Sequence, residues 1–368
     1  MPPISVLIKP ASGMCNIACT YCFYRDEMEN RQMASCGFMT EESLKNLMRR
    51  TLPRAEYTAS YAFQGGEPTL RGVEFFKKVL EYEKKYNKRG VNIQNSLQTN
   101  GLLLNDDWCE FLKENHFLVG VSVDGIQKTH DLYRLDQGQK GTYDKVLKGI
   151  SLLEKYKVDF NILTVVNKDV AENIKEIYRD YKKRGWNYQQ YIVCMEPLKS
   201  DVTSESYALS PIQYGTFLIQ LFDSWYADYK QGCQPYIRQF ENYIRILAGY
   251  YPEACDQRGT CSLQTVVEAD GSVYPCDFYA LDGYCLGNFN ENTLPEIYQN
   301  LVESRFIEKS HNLSGKCKAC PYYGLCRCAC QRNRIMEKDG YCSYFCEGYK
   351  MFFDHAKDKL KEIAEKIR

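Results

Sequence analysis

The stretch 13-GMCNIACTYCFYRDEM-28 sets Cys15, Cys19 and Cys22 within eight residues, directly after the β-rich run 4-ISVLIK-9. Three thiols are an odd number for disulfide pairing and one short of the four ligands of a closed zinc site. On a flexible loop the spacing C-x3-C-x2-C suits a cubic [4Fe-4S] cluster held at three corners, with the fourth iron open to a substrate. Zinc completed by a remote residue is the alternative. The chain's four histidines, His116, His130, His311 and His355, all lie far from this loop in sequence.

Working outward, β-rich runs at 59-ASYAFQ-64, 91-VNIQNSL-97, 118-LVGVSV-123, 158-VDFNILTVV-166 and 187-NYQQYIVC-194 alternate with amphipathic patterns. Helices are expected near 40–50, 73–86, 106–115, 143–156 and 171–184, with Thr40 and Asn105 as N-caps. Strand starts this far apart fit parallel strand-helix-strand units. Six of them predict an α/β fold, an open, partial (β/α)6 barrel of the TIM type. In parallel barrels reactive groups sit on loops at the carboxyl ends of strands, which is where the three thiols fall.

From about Lys199 to Tyr251 the pattern is helical and tyrosine-rich, without a strand signal, and reads as a bridge. Beyond it cysteines crowd again. Within this region 265-TVVEADGSVYPC-276 predicts a hairpin, with Asp270-Gly271 supplying positive φ angles and the second arm delivering Cys276. A charged helix over 348–367 closes the chain. The expected organisation is a barrel over 1–198, a helical bridge over 199–252 and a cysteine-rich domain over 253–368.

Bulk properties narrow the function classes. A chain of 368 residues, 44% hydrophobic, can bury more than one core. With 47 basic and 47 acidic residues, nothing favours a nucleic acid or an anionic membrane as partner. No apolar run approaches membrane-spanning length, and MPPISVLIKP has no export-signal pattern, so a cytoplasmic protein is expected. Eighteen cysteines in a reducing compartment point to metal rather than disulfides. Cys36, Cys109, Cys194, Cys233 and Cys285 read as small buried hydrophobes.

The run K-P-x-S-G-x-C-N-x-x-C-x-Y-C-F-Y, Lys9 to Tyr24, resembles the opening signature of the radical S-adenosylmethionine enzymes. With 64-QGGEP-68, 122-SVDG-125, 130-HDLYR-134 and 141-GTY-143 it is similar, more narrowly, to the anaerobic sulfatase-maturating enzymes. The resemblance implies that Cys15, Cys19 and Cys22 hold the radical-generating cluster. It also implies S-adenosylmethionine contacts at Tyr21, Tyr24, Gln64, Gly65, Gly66, Glu67, Ser122 and Arg134. Gly65 and Gly66 carry no side chain and let carbonyls approach the ligand's ammonium group. The Arg134 fork suits its carboxylate.

The carboxyl-terminal half resembles the auxiliary-cluster domain called SPASM. C-x2-C pairs alone leave zinc and iron–sulfur open; the radical motif favours iron–sulfur. The resemblance assigns Cys255, Cys261, Cys276 and Cys330 to one auxiliary cluster, and Cys317, Cys320, Cys326 and Cys346 to a second. That makes three [4Fe-4S] clusters in all. Cys328 and Cys342 leave this register open, since each lies within four residues of an assigned ligand.

The implied function is oxidation of a cysteine or serine in an unfolded sulfatase precursor peptide to Cα-formylglycine. Asp277 is the implied proton acceptor, and an external flavodoxin- or ferredoxin-type protein the implied electron donor. A SPASM enzyme forming thioether or carbon–carbon crosslinks in ribosomal peptides is the alternative. Many of those carry an amino-terminal recognition domain, with no counterpart in the short segment before Cys15. An iron–sulfur electron carrier would leave Gly65, Gly66, Glu67 and Arg134 idle.

Overall fold

Alternation of apolar residues gives the first strands one dry face: Val6 and Ile8, then Ala59, Tyr61 and Phe63, are fully buried. The computed structural model describes residues 3–199 and 205–367. The outer ends of the expected domains, at residues 1, 2 and 368, and positions 200–204 of the expected bridge lie outside the described residues. In chain order the strands are β1 (Ile4–Ile8), β2 (Thr58–Phe63), β3 (Asn92–Thr99), β4 (Leu118–Ser122), β5 (Phe160–Val166), β6 (Tyr188–Val193), β7 (Tyr236–Ile237), β8 (Val266–Val267), β9 (Val273–Tyr274), β10 (Arg334–Glu337) and β11 (Gly340–Ser343). The chain divides into two units. One comprises Met1–Ser122, Asp131–Phe160 and Leu263–Arg305, the other Val123–His130, Asn161–Ser262 and Phe306–Arg368.

In the first unit the strand order is β9-β8-β1-β2-β3-β4. β1 pairs β2 in parallel from Ile4↔Ala59 to Ile8↔Phe63, and β2–β3 and β3–β4 are parallel too. The expected helices appear at Glu41–Thr51, Gly72–Tyr86, Asp106–Glu114 and Tyr143–Tyr156. Thr40 and Asn105 cap two of them, accepting from the backbone N–H of Ser43 at 3.1 Å and of Trp108 at 2.9 Å. The expected hairpin forms as β8–β9, and β8 also pairs in parallel with β1. At its turn only Gly271 has a positive φ, +92°. Asp270 instead closes the loop with its side chain, accepting from Ser272 N at 3.0 Å.

In the second unit β5, β6 and β7 run parallel. β7 corrects the expectation of a strandless bridge; at two residues it is too short to show a period. The helix expected over 171–184 is broken into Lys168–Glu172 and Ile174–Lys183. Asn173 marks the break, its side chain donating to Asp169 O at 2.8 Å. The long helices Pro211–Tyr229 and Cys346–Glu365 cross at Gly215 and Gly348, where a Cβ on Gly348 would lie 2.2 Å from Pro211 O. This close crossing fixes the start of the last helix, and Cys346 with it. Among the described residues no helix is long and apolar enough to cross a membrane.

Candidate active site and cluster chambers

The loop carrying Cys15, Cys19 and Cys22 leaves the carboxyl end of β1, and the Gly-Gly-Glu-Pro segment leaves the end of β2 beside it. Gly66 N donates to Ser12 O and Glu67 N to Met14 O, both at 2.8 Å. A Cβ on Gly66 would stand 1.9 Å from Met14 O, and one on Gly65 (φ +109°) 2.7 Å from Ser12 O. The missing side chains therefore admit the backbone of the cysteine loop. Glu67 is buried and fastens a third strand end. Its Oε1 accepts from Thr69 N (3.1 Å), Thr69 Oγ1 (2.6 Å) and Thr99 Oγ1 (2.7 Å), its Oε2 from Asn100 N (2.8 Å). Asn100 Nδ2 in turn donates to Asn16 Oδ1 at 2.7 Å and reaches Cys15 Sγ at 3.6 Å.

Burial pushes the Cys15 thiol up to about 12, and raises Cys22 as well. Both would be held as thiolates only with a cation to compensate. Arg134 is buried with its NH1 3.9 Å from Cys19 Sγ and its guanidinium 5.7 Å from the Tyr21 ring centre. Tyr21 also meets Tyr133 edge-on at 6.0 Å. Ser122 accepts from Gln98 Nε2 at 3.1 Å. Among the described residues no three His, Cys, Asp or Glu side chains converge as the ligands of one ion do. A cubic cluster takes each thiolate on a separate iron, so an all-thiol loop with spread sulfurs fits it.

Asp277 follows Cys276 into a short 3-10 turn and is buried. Its Oδ2 accepts from Tyr24 Oη at 2.7 Å and Gln64 Nε2 at 3.2 Å, and Gln64 also donates to Tyr24 Oη at 2.8 Å. Oδ1 is buried without a hydrogen-bond partner among the described residues. Behind this trio lies an ion cluster. Lys9, fully buried, has Nζ 2.8 Å from Glu268 Oε1, 3.3 Å from Glu27 Oε2 and 5.0 Å from the Tyr24 ring centre. Arg31 NH1 is 2.9 Å from the same Glu268 oxygen.

Three carboxylates face two cations, and a buried cluster resists the excess negative charge. Glu268, despite burial, is held down to about 2 by Lys9 and Arg31. Glu27 is pushed up to about 7 by burial, with Lys9 opposing and Asp277 adding to the rise. Burial likewise raises Asp277 against the pull of Lys9. Burial and the adjoining Asp277 raise Tyr24, which stays a hydrogen-bond donor.

Two further thiol groups occupy the second unit. Cys317, Cys320, Cys326, Cys328, Cys342 and Cys346 line one chamber, with Lys316 and Lys350 at its wall. A soft, all-thiol donor set beside cations suits an anionic iron–sulfur cluster. Elsewhere Cys330 is pushed up to about 12 by burial, with Cys255 and Cys261 adding to the rise. Arg334 straps the connecting loop, donating to Cys328 O (3.0 Å), Ala329 O (2.8 Å) and Ser310 O (2.6 Å). Of the cysteines read as buried hydrophobes, Cys109 and Cys194 are buried and Cys36 is partly so. Cys233 and Cys285 are exposed, a correction; both sit in short turns that present the side chain outward.

The Radical SAM superfamily matches residues 10–181, and the SPASM family, described as an iron–sulfur cluster-binding domain, matches residues 255–321. A cysteine-type anaerobic sulfatase-maturating enzyme of Clostridium novyi is 44% identical over 369 residues, covering 100% of this chain and 99% of the relative. The chain belongs to the anaerobic sulfatase-maturating enzymes. A serine-type sulfatase-maturating enzyme of Bacteroides thetaiotaomicron is 33% identical, covering 96% of this chain and 89% of its own. The solved structure of native anSMEcpe with bound AdoMet and Kp18Cys peptide superposes with a TM-score of 0.94 at 41% identity, covering 99% of this chain and 100% of that one.

For this sulfatase-maturating enzyme, sequence reasoning had singled out Asp277, Tyr24 and Gln64 separately, and the fold joins them. It missed Glu27, Arg31, Glu268, Asn100 and Arg334, and left Lys9 without a role although Lys9 opens the signature. Asn100 had a usable signal: it follows a strand in 98-QTNG-101, as the Gly65-Gly66 pair follows another. The ion cluster had none, because its members come from distant positions.

Proposed function

We propose that this chain oxidises a cysteine or serine side chain of a sulfatase precursor peptide to Cα-formylglycine, and that three [4Fe-4S] clusters and S-adenosylmethionine serve the reaction. The observation that carries the reading is Asp277, a buried carboxylate with one oxygen held by Tyr24 and Gln64 and the other unpartnered. When bound, the cluster of Cys15, Cys19 and Cys22 and S-adenosylmethionine supply a 5′-deoxyadenosyl radical. The peptide then loses a hydrogen atom from its β-carbon, an electron and a proton. A cysteine becomes a thioaldehyde that water hydrolyses, and a serine an aldehyde directly.

Asp277 Oδ1 takes the proton, while Tyr24 and Gln64 fix the carboxylate's orientation. Arg134, beside Cys19, is placed for the carboxylate of S-adenosylmethionine. Gly65, Gly66 and Glu67 act by clamping the loop that presents the ligand, and Tyr21 and Ser122 line its approach. The auxiliary ligand sets are those the family resemblance implies, and the same holds for the three-part division at 198/199 and 252/253. An external flavodoxin- or ferredoxin-type donor and a cytoplasmic setting complete the reading.

The test is anaerobic incubation of cysteine- and serine-containing sulfatase peptides with S-adenosylmethionine and a reductant, followed by mass spectrometry. A hydrazide-reactive aldehyde at the target residue is expected. A peptide carrying an internal thioether or carbon–carbon crosslink instead would overturn the assignment.

A further inference from the structure

Asn100 closes a chain of contacts that begins at the Gly-Gly-Glu-Pro segment and ends on a sulfur of the three-cysteine loop. Its backbone N–H donates to Glu67 Oε2 at 2.8 Å, and its side-chain Oδ1 accepts from Leu102 N at 3.0 Å. The second bond settles which way the amide faces: Oδ1 is committed to a backbone donor, so Nδ2 points at the loop. There Nδ2 lies 2.7 Å from Asn16 Oδ1 and 3.6 Å from Cys15 Sγ, with one hydrogen for each. Asn100 is buried. The free Cys15 thiol, for its part, lies 3.8 Å from Asn16 Oδ1 and donates to it. A cysteine that ligates iron has lost that proton. The thiolate and Asn16 Oδ1 are then two acceptors side by side, and the Asn100 amide is the donor between them.

We propose that the Asn100 amide donates an N–H···S hydrogen bond to Cys15 in the loaded loop and raises the reduction potential of the cluster held there, with Glu67 as the residue that positions it. The inference rests on the reading above that Cys15, Cys19 and Cys22 hold an iron–sulfur cluster. The reduced cluster carries one more negative charge than the oxidised one, so a hydrogen bond to its sulfur is stronger after the electron arrives. Glu67 acts through Asn100: it fixes the backbone from which the amide reaches the sulfur. The Gly-Gly-Glu-Pro segment thereby bears on how readily the loop's cluster accepts an electron, besides clamping the loop.

Anaerobic redox titration of the holoprotein, read by electron paramagnetic resonance, tests this. Cys15→Ala/Cys19→Ala/Cys22→Ala supplies the auxiliary-cluster spectrum to subtract. Asn100→Leu keeps a similar shape without an N–H. Its iron content should be unchanged, while the reduced fraction of the loop's cluster at a fixed low potential falls about tenfold, equal to about 59 mV for a one-electron couple. Asn16→Leu removes the amide's other partner but leaves the bond to sulfur, so its potential should stay close to that of the unaltered protein. An unchanged potential in Asn100→Leu, or an equal shift in Asn16→Leu, overturns the proposal. Loss of the loop's iron from folded Asn100→Leu also overturns it, since Asn100 is then a structural clamp. A second measurement needs no substitution at Asn100. In protein labelled with heavy nitrogen at asparagine side-chain amides, electron–nuclear double resonance of the reduced loop cluster should show a coupled nitrogen, and its absence overturns the proposal. If the triple cysteine variant and the unaltered protein give the same spectrum, the loop holds no cluster, and the underlying reading fails instead.

Discussion

Asp277 depends on two kinds of neighbour, and single substitutions separate them. Asp277→Asn keeps the shape but cannot accept a proton. It should retain its iron and still cleave S-adenosylmethionine, while the ratio of formylglycine to 5′-deoxyadenosine falls roughly a hundredfold or more, the usual worth of a positioned base. Tyr24→Phe removes one donor to Oδ2 and leaves the base. A lost hydrogen bond to a charged group predicts a fall of roughly tenfold or more in the same ratio. An unchanged ratio in Asp277→Asn would exclude it as the base, and loss of iron would make it a structural residue. Asp277 was singled out in the sequence because it adjoins Cys276. The groups that set its protonation were not. Lys9, Glu27, Arg31 and Glu268 meet only because β1, the helix after Cys22 and the β8–β9 hairpin converge, and ion pairs across such separations leave no local pattern.

Strand ends are where this fold makes its site. The carboxyl ends of β1, β2 and β3 are tied together through Gly66, Glu67 and Asn100, and Gly66→Ala tests the tie. Its Cβ would collide with the Met14 carbonyl, so the loop must move. We expect the folded variant to lose about four irons and all S-adenosylmethionine cleavage; full iron with unaltered cleavage would show that the loop does not need the clamp. The helix Phe23–Glu29 brings Glu27 to the ion cluster, with a pH consequence. Its folded pKa of about 7 exceeds the ordinary 4.5, so its contribution to stability is complete below about 4.5 and is lost as pH rises through 7. Glu268, held near 2, acts oppositely, and its contribution is lost on acidification below 4.5. Thermal midpoints should therefore fall less between pH 5 and about 8 in Glu27→Gln than in the unaltered protein. Identical slopes would remove Glu27 from the titration. The six strands and most of the helices expected before residue 190 were legible to within two or three residues from their periodicity, but the helices Phe23–Glu29, Gln127–Tyr133 and Leu294–Ser304 were not among the expectations. The two-residue β7, and the pairing of β8 with β1, carry no period and had to be seen.

At the scale of the whole molecule, the cysteines suited to metal divide between a three-thiol loop in one unit and, in the other, a six-thiol chamber and the thiols of Cys255, Cys261 and Cys330. Sites without shared partners behave independently. Replacing Cys15, Cys19 and Cys22 together with Ala should abolish S-adenosylmethionine cleavage yet leave about eight irons bound, read by iron analysis and 5′-deoxyadenosine assay. The sequence foretold this division through cysteine spacing, but not which thiols share a chamber, because seven within one 30-residue stretch admit several registers. The inventory also constrains the chemistry. On the proposed reading the eight family-assigned ligands would fill both auxiliary clusters, leaving no auxiliary iron open for a substrate sulfur. Electron removal from the substrate would then pass through space rather than through an iron–sulfur bond to the peptide. Serine, a much poorer iron ligand than a thiolate, is not disqualified as a target by that route. Adding a cysteine peptide to the reduced holoprotein should therefore leave the paramagnetic resonance spectra of the auxiliary clusters unchanged, as should a serine peptide. A spectrum perturbed by the cysteine peptide alone would place substrate sulfur on an auxiliary iron, and would mean that one of the eight assigned thiols is not a ligand.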